Sequence, residues 1–554
     1  MRRQSAARRA AALAAPLALA LTATLTACGG EQGTTGSAAP TDGVLRVGLL
    51  NDIGQPPDPD VYYSGNGLAL TTNMYEGLVR YEPGLDTATI GPALATDWQV
   101  SEDNTTYTFT LREGVTFHDG TPFTAEAVEA SFDRRTAVGA GPAYMVAGVD
   151  SVETPDETTV VIRLAEPNSA FLDYLASPYG PRMISPTALA ENAGDDHAQT
   201  YLSTHSAGTG PYQLSAARVG ERYEMTAYDG YWGGEPTFTT IELPVYTDTS
   251  AMQLALNNGD LSTIIGAVPS ASQADYIEDD ALQAYSLPSF QVGVLYMNPN
   301  RPFMATPEAR RAMFSAVDWG SVIDQVVAHK AELATGSYSR GALPDGVEER
   351  AITHDPAPLA DYVAGLSGAE KTVVIGHSAS SADDAQIANI IAAQLQGLGL
   401  DATITSYQTS QVFGEFAANP AEAPDLYVSS GTWPDSSNPY MYGHVFWDQD
   451  GGLNHLQCFS DETTELLAEA LVSGDPATYG AAAEANEAAA CTPAWAYVND
   501  FVVAQPWLGG VEEAHSIAEP YTLDFHALTV DSGDASDSGD ASDSGDASDS
   551  AEDE

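Results

Sequence analysis

The chain has 554 residues, enough for two or three domains of about 150 residues each. Its 77 acidic residues against 20 Lys and Arg give a net charge of −57, which argues against a nucleic-acid partner and against docking on anionic lipid, because both need clustered cations. Apolar residues make up 44% of the chain, so the acidity belongs to a globular protein. Enzyme, binding protein and structural protein all stay open at this point.

Residues 1–27 have the pattern of a secretory signal peptide. Four arginines precede an apolar stretch at 10–25, which is shorter than the ~20 residues of a transmembrane helix. The small residues before Cys28 resemble the bacterial lipobox. That resemblance implies cleavage before Cys28, a diacylglyceryl group on its sulfur, and attachment to the extracellular face of the cell membrane. Residues 28–43 are predicted to be a flexible linker.

Short secondary-structure elements follow in chain order. The apolar run at 45–49 predicts a strand, and Pro-Pro-Asp-Pro at 56–59 predicts an extended turn. Residues 68–79 are predicted to form a helix. The alternation of 106–111 predicts a half-buried strand, and Thr124 stands where the N-cap of a following helix belongs.

Residues 75–128 carry a resemblance to a known family. They contain Tyr-Glu-Gly-Leu-Val from position 75, Leu-Ala-x-x-Trp from 94, and Tyr-x-Phe-x-Leu-Arg-Glu-Gly-Val-x-Phe-His-Asp-Gly-Thr-Pro-Phe from 107. This pattern resembles the signature of extracellular solute-binding proteins of the peptide/nickel family, the receptors of ABC importers for oligopeptides, dipeptides and related solutes. Further matching segments extend the resemblance from roughly Val44 to Val530, and they include 208–212, 254–260, 298–327 and 387–400.

The resemblance implies an α/β, two-lobed periplasmic-binding-protein-like fold of type II, with an extra subdomain inserted in the first lobe. On this chain, lobe I would span 44–288 with the insertion at about 81–205, lobe II would span 289–500, and 501–530 would return to lobe I. Residues 531–554 lie outside the resemblance and repeat Ser-Gly-Asp-Ala-Ser-Asp. They are predicted to form a disordered acidic tail, because they contain no apolar side chain larger than Ala.

The resemblance implies a receptor that performs no catalysis and uses no cofactor. Such proteins close two lobes over a ligand, and the closed form docks on a transmembrane permease. We therefore expect a lipid-anchored monomer that captures a small solute, with a peptide as the favoured ligand. Related proteins bind sugars and nickel complexes, so a non-peptide solute is the alternative within the family.

Residues 432–440, Thr-Trp-Pro-Asp-Ser-Ser-Asn-Pro-Tyr, are predicted to border the ligand cleft. In peptide-binding relatives the corresponding loop has a tryptophan, two residues, an aspartate and a proline four positions on, and that aspartate pairs with the peptide's ammonium group. Asp435 has its proline at Pro439, although Trp433 is one residue closer than in those relatives. The resemblance thus implies Trp433 and Asp435 as ligand contacts, and the further candidates are Tyr63, Tyr440 and Asn298.

Each of these assignments has a plainer alternative. Asp435 could be a solvated turn carboxylate, because Asp is common beside Pro and Ser-Asn in turns. Tyr63 and Tyr440 could be ordinary packing residues. Asn298 could hold the hinge by backbone hydrogen bonds.

A surface-anchored serine hydrolase is the alternative from another functional class. The predicted strand 372–375 runs into Gly-His-Ser-Ala-Ser at 376–380, which is close to the nucleophile elbow of α/β-hydrolases with Ser378 as nucleophile. Ser380 stands where glycine is expected. The structural alternative is a helix that begins here, with Ser380 or Ser381 as its cap. Three histidines could complete a catalytic triad, but none of them lies in a recognisable sequence context. They are His444, His455 and His526.

The remaining cysteines and the histidines bear on disulfide and metal binding. An exported chain lies in an oxidising compartment, so Cys458 and Cys491 are predicted to form a disulfide, with two buried free thiols as the alternative. The ten histidines are scattered without a His-x-x-x-His pair, so no metal site is predicted. His118, within the family motif, is predicted to be a hydrogen-bonded turn residue.

Overall fold

The computed structural model describes residues 38–85, 88–342 and 349–531. The predicted signal peptide, the lipidation site Cys28, most of the linker and nearly all of the acidic tail lie outside the described residues. Within the described ranges, no helix has both the length and the apolar character needed to cross a bilayer.

Strands and helices alternate along the described ranges. The strands are β1 (Val44–Leu50), β2 (Val79–Tyr81), β3 (Ile90–Pro92), β4 (Ala95–Val100), β5 (Thr106–Leu111), β6 (Val149–Asp156), β7 (Thr159–Leu164), β8 (Tyr212–Arg218), β9 (Arg222–Ala227), β10 (Thr240–Tyr246), β11 (Thr263–Ile265), β12 (Gln283–Met297), β13 (Ala331–Leu333), β14 (Thr372–Ser378), β15 (Asp401–Tyr407), β16 (Leu426–Thr432), β17 (Ala494–Ala504), β18 (Leu508–Gly509) and β19 (Thr529–Val530). The α-helices are α1 (Leu68–Met74), α2 (Ala125–Val138), α3 (Phe171–Ala176), α4 (Pro186–Asn192), α5 (Gln199–Leu202), α6 (Thr249–Asn257), α7 (Ser270–Ile277), α8 (Pro307–Ala316), α9 (Trp319–Val322), α10 (Ala357–Ala364), α11 (Ala382–Gly397), α12 (Phe416–Ala418), α13 (Pro439–Trp447), α14 (Asp461–Ser473) and α15 (Pro476–Ala489). Short 3-10 and π-helical turns lie at Gly141–Val146, Pro302–Met304, Ile323–Val327, Gly368–Lys371 and Gln411–Glu415.

One large sheet runs through both lobes. Its strand order is β15-β14-β16-β12-β17-β11-β1-β10-β9-β8, and β13 pairs with β17 beside this path. The two long central strands, β12 and β17, are antiparallel from Gln283 opposite Ala504 to Val294 opposite Ala494. At one end β12 pairs with β16, and at the other β17 pairs with β11. The central strands are therefore the segments that cross between the two lobes of this α/β fold.

A second sheet lies within the predicted insertion. Strands β4, β5, β7 and β6 form it in that order, and all of its pairs are antiparallel. Alternate residues of β5 are buried, as its sequence pattern predicts for a strand with one face on a core. The sheet agrees with an inserted subdomain, while the boundaries of the lobes and of the insertion stay predictions.

The predicted elements agree with the structure in position more often than in length. The strand predicted at 106–111 is confirmed residue for residue. The helix predicted to run from 68 to 79 ends at Met74, because Tyr75 takes an extended backbone and the chain enters β2 at Val79. Thr124 is the N-cap residue of α2, although its side chain makes no cap hydrogen bond.

Buried ion pairs fix the loop between β1 and α1 to helix α2. Arg134 contacts Asp58 at 2.6 Å and Asp60 at 2.5 Å, and Arg135 contacts Asp60 at 2.8 Å. All four side chains are almost completely buried. Charges are expensive to bury unless they are paired, so this cluster holds the loop in one place and thereby positions Tyr63.

The disulfide predicted between Cys458 and Cys491 is confirmed, with the two Cα atoms 5.2 Å apart. Cys458 precedes α14 and Cys491 follows α15, so the bond joins the two ends of a helical hairpin. His118 is also confirmed as a hydrogen-bonded turn residue. Its ring contacts Ser206 Oγ at 2.9 Å and the Gly210 carbonyl at 3.1 Å.

Candidate functional site: a cleft between the lobes

A cavity of about 1130 Å³ lies between the two lobes. The predicted lobe I contributes the end of β1 and the loop at 63–66, and the predicted lobe II contributes residues within 378–384 and 427–435. The crossing strands also reach it, through Gln291 and residues 498–501. The volume is in the range of natural small-ligand sites, which commonly occupy several hundred to about 1,000 Å³.

The topology explains why polar residues collect here. Strands β14 and β16 are parallel, so their carboxyl ends, Ser378 and Thr432, lie on the same side of the sheet and both border the cavity. The crevice beyond the carboxyl ends of parallel strands is where open α/β sheets bind their ligands. The loop that follows β16 ends where Asn438 caps α13 by accepting a 2.8 Å hydrogen bond from the Tyr440 amide.

Asp435 projects from that loop toward residues of lobe I. Its Oδ2 accepts hydrogen bonds from the hydroxyls of Tyr144, at 2.5 Å, and of Tyr63. Its backbone carbonyl accepts another from Ser177 Oγ. Oδ1 receives no hydrogen bond from any residue that the structure describes. Burial raises the pKa of Asp435, and the two tyrosine hydroxyls oppose that rise because they stabilise the carboxylate.

Aromatic rings form the wall beside this carboxylate. Trp433 meets Tyr521 edge to face, with ring centroids 5.1 Å apart, and both residues border the cavity. Gly65 packs against this pair so closely that an added Cβ would stand 3.2 Å from each ring. Tyr63 lies edge to face on Tyr179 at 5.1 Å and also borders the cavity. The structure therefore brings the predicted residues Tyr63, Trp433 and Asp435 together.

The other two predicted ligand residues do not border the cavity. Tyr440 lies in the first turn of α13, where its ring stacks on His444 at 5.6 Å and packs against the apolar core. Asn298 is fully buried, and its Nδ2 donates to the carbonyls of Pro420 at 2.6 Å and Pro424 at 3.0 Å. Their side chains are engaged in packing and in holding the loop before β16, and ligand contact by either residue stays a prediction.

Ser378 lies at the end of β14, next to the first turn of α11. Its Oγ is 2.9 Å from Ser380 Oγ, and among the described residues no histidine ring is hydrogen-bonded to it. Ser381 is the N-cap of α11 and accepts a 3.1 Å hydrogen bond from the Asp384 amide. The capping alternative is therefore confirmed. A serine nucleophile needs an adjacent base, and this arrangement supplies none.

The cleft is acidic, which the sequence pattern did not predict residue by residue. Among the described residues that line it, the ionisable groups besides tyrosine and histidine are one ammonium, that of Lys330, and four carboxylates, those of Asp383, Asp384, Asp435 and Asp500. Burial lowers the pKa of the lining histidine, His455, to about 4, so its ring is neutral at physiological pH. An acidic cleft favours a ligand with positive charge.

A sequence profile of bacterial extracellular solute-binding proteins, family 5 (middle region), matches residues 89–454. This chain belongs to that family. The probable D,D-dipeptide-binding periplasmic protein DdpA of Escherichia coli K12 is 27% identical over 450 residues, covering 79% of this chain and 84% of that protein. The glutathione-binding protein GsiB of Shigella flexneri is 27% identical over 431 residues, covering 74% and 79%.

Solved structures of similar proteins share the fold of this family 5 chain. NikA from Brucella suis, in complex with Fe(III)-EDTA, has a TM-score of 0.76 at 23% identity and covers 88% of this chain and 100% of its own. DppA from Helicobacter pylori, in complex with the peptide STSA, has a TM-score of 0.73 at 21% identity, with 88% and 98% covered. The predicted two-lobed periplasmic-binding-protein fold is confirmed.

Proposed function

We propose that this chain is the lipid-anchored receptor of an ABC importer, which captures a short peptide between its two lobes and delivers it to the transmembrane permease. The observation that carries the peptide assignment is the carboxylate of Asp435. It projects into the cleft, two tyrosine hydroxyls orient it through Oδ2, and Oδ1 is left to accept a hydrogen bond from a ligand. Relatives named as dipeptide- and glutathione-binding proteins support the same class of ligand.

An α-ammonium group fits this carboxylate chemically. A hydrogen bond between ammonium and carboxylate is charge-assisted and about twice as strong as one between neutral groups. The rings of Trp433 and Tyr521 offer flat apolar area beside it, which suits peptides of different sequence. In this proposal the ligand contacts are Trp433 and Asp435, which the motif and the cavity have in common, and the further candidate Tyr63, which also borders the cavity.

Closure of the lobes and capture of the ligand both involve Asp435. Tyr63, Tyr144 and Ser177 belong to the predicted lobe I, and all three donate to Asp435 of the predicted lobe II. A ligand held at this point gains contacts with both lobes only when they are closed. Its binding energy therefore shifts the population toward the closed state, which is the form that docks on a permease.

The anchor forms the second part of the proposal. We infer that Cys28 carries a diacylglyceryl group after removal of residues 1–27, which would hold the receptor at the membrane face. Mass spectrometry of detergent-extracted protein is expected to show the mass of the lipid on an N-terminal peptide that begins at Cys28. A Cys28→Ser variant that keeps the same modification and membrane retention would contradict the anchor.

The peptide assignment is tested by isothermal titration calorimetry of the mature chain with alanine peptides of two to five residues. We expect at least one length to bind, and its N-acetylated form to bind at least tenfold more weakly. Asp435→Asn should remove most of that difference, whereas Asp450→Asn, which changes an exposed carboxylate past the end of α13, should preserve it. Binding of maltotriose or of a nickel–histidine complex, with none of any peptide, would overturn the assignment.

A further inference from the structure

Asp384 is a second buried carboxylate in the same cleft. It lies in the first turn of α11, it is only 4% exposed, and it borders the cavity. Its Oδ1 accepts a 2.8 Å hydrogen bond from the Ser430 amide. The hydroxyls of Ser381 and Ser430 also stabilise its charged form and oppose the rise in its pKa that burial causes. No cation among the described residues is paired with it, so its negative charge is hydrogen-bonded but has no counter-ion in the described part of the chain.

The other carboxylates that line the cleft differ from Asp384 in their hydrogen-bond and ion-pair partners. Asp383, next in sequence, binds Lys330 Nζ at 2.8 Å and also accepts from Ser270 Oγ at 2.6 Å. Asp500 accepts from Gln291 Nε2 through Oδ1 and from the Tyr521 amide through Oδ2. The single lining ammonium is therefore engaged by Asp383. Asp384, unlike Asp383, has no cation paired with it among the described residues.

Aromatic rings surround the position beside Asp384. The ring centroids of Tyr296 and Tyr427 are 5.9 Å apart, and the ring centroid of His455 is 5.0 Å from that of Tyr296. Burial, and then the charge of Asp384, raise the pKa of Tyr427, which places that hydroxyl within the field of the carboxylate. Tyr296 is buried at this border of the cavity, with only 1% of the residue exposed. Phe413 completes the border with an exposed ring.

We propose that Asp384 and the aromatic rings of Tyr296 and Tyr427 form a second subsite, which binds a basic side chain of the ligand. This inference rests on the proposed function and names its substrate class, a short peptide with a lysine-, ornithine- or arginine-like side chain. The α-ammonium group pairs with Asp435 and the side-chain cation with Asp384. Carboxylate and aromatic faces both attract a desolvated cation, and an acidic side chain at this position is repelled.

The test compares matched peptides by isothermal titration calorimetry on the mature chain. One series is Lys-Ala-Ala, Ala-Lys-Ala and Ala-Ala-Lys, and the other carries norleucine, which keeps the alkyl chain without the charge, at the same three positions. We expect one lysine peptide to bind at least tenfold more tightly than its norleucine partner. Asp384→Asn, which keeps the acceptor for Ser430, should reduce that preference to less than threefold.

Two further variants separate the subsite from the general charge of the cleft. Asp383→Asn removes the same charge from the adjacent residue, and the lysine preference should survive it. Asp435→Asn should weaken lysine and norleucine peptides by similar factors, because it removes the contact to the shared α-ammonium group. Equal affinities in the two series, or a lysine preference that persists in Asp384→Asn or disappears equally in Asp383→Asn, would overturn the subsite. Absence of binding in both series would overturn the proposed function and the subsite with it.

Discussion

Tyr144 donates a 2.5 Å hydrogen bond to Asp435 across 291 residues of sequence. The donor follows α2 in the segment predicted as the insertion of lobe I, and the acceptor lies in the loop after β16. The carboxylate that we propose as a ligand contact is therefore oriented by a residue of the other predicted lobe. In the proposed function, ligand binding and lobe closure depend on this same carboxylate, which makes the contact the first to test.

Tyr144→Phe should weaken peptide binding by about threefold to tenfold, because one donor to the charged carboxylate is lost. The hydrogen bond lowers the pKa of Asp435, so its removal raises that pKa. Affinity is present above the Asp435 pKa and declines as the pH falls through it. The decline should therefore begin at a higher pH in the variant. Calorimetric titrations between pH 4 and 8 measure this decline in affinity. Tyr174→Phe, which changes the ring next to Tyr144, is the control.

Glu76 should make the stability of the protein depend on pH. Burial raises its pKa from 4.5 to about 6, although Thr209 and Trp232 donate hydrogen bonds to it. The protonated form is thus favoured in the folded state. Its contribution is complete below pH 4.5 and is lost as the pH rises through about 6, which amounts to about 2 kcal/mol.

Urea unfolding of the wild type and of Glu76→Gln at pH 4.5 and pH 7 measures this effect. The amide of the variant does not titrate. The unfolding free energy of the variant minus that of the wild type should therefore rise by about 2 kcal/mol from pH 4.5 to pH 7. A difference between the two proteins that stays constant with pH would show that Glu76 ionises freely in the fold.

The buried cluster between the β1–α1 loop and helix α2 should be sensitive to the loss of one charge. Asp60→Asn leaves the guanidinium group of Arg135 without its carboxylate, and the expected loss of unfolding free energy is about 3–5 kcal/mol. Glu153→Gln breaks the exposed pair with Arg163 and should change nothing measurable. Urea unfolding checks both, and equal effects of the two variants would contradict the role given to burial.

The disulfide should stabilise the helical hairpin α14–α15. It closes a loop of 33 residues, for which the chain-entropy relation gives about 3–4 kcal/mol. The double variant Cys458→Ser and Cys491→Ser should lower the unfolding free energy by this amount, and reducing agent should destabilise the wild type but not the variant. Unchanged urea midpoints in all of these samples would show that the bond contributes nothing.

Salt should stabilise this protein. The chain has a net charge of −57 and only two lysines, Lys330 and Lys371, so carboxylates repel one another over much of its surface. Sodium chloride screens that repulsion, and the melting temperature should rise steeply between low and molar salt. Differential scanning calorimetry measures the slope of melting temperature against salt concentration, and a flat response would contradict destabilising repulsion between the carboxylates.

Local pattern predicted the elements whose cause is local. The alternation of β5 and the serine cap of α11 follow from residues within a few positions of each other, and both were predicted correctly. The end of α1 was wrong because Tyr75 is drawn into the core by tertiary packing, which overrides a helical pattern. Tyr440 follows the ligand loop closely in sequence, but it begins a helix that turns its ring toward the core.

The amino-acid sequence by itself determined the family and the disulfide pair, because each depends on residue types at short or repeated spacing. On the same kind of evidence it predicts the export and anchoring motif and the ligand loop that contains Asp435. Only the tertiary structure decided which charges in the cleft are already paired. Lys330 and Asp383 are 53 residues apart, and Asp435 and Tyr144 are 291 apart. Pairing depends on distances set by strand order and lobe packing, so the contrast between Asp383, which is paired with Lys330, and Asp384, which has no paired cation among the described residues, appears only when the chain is folded.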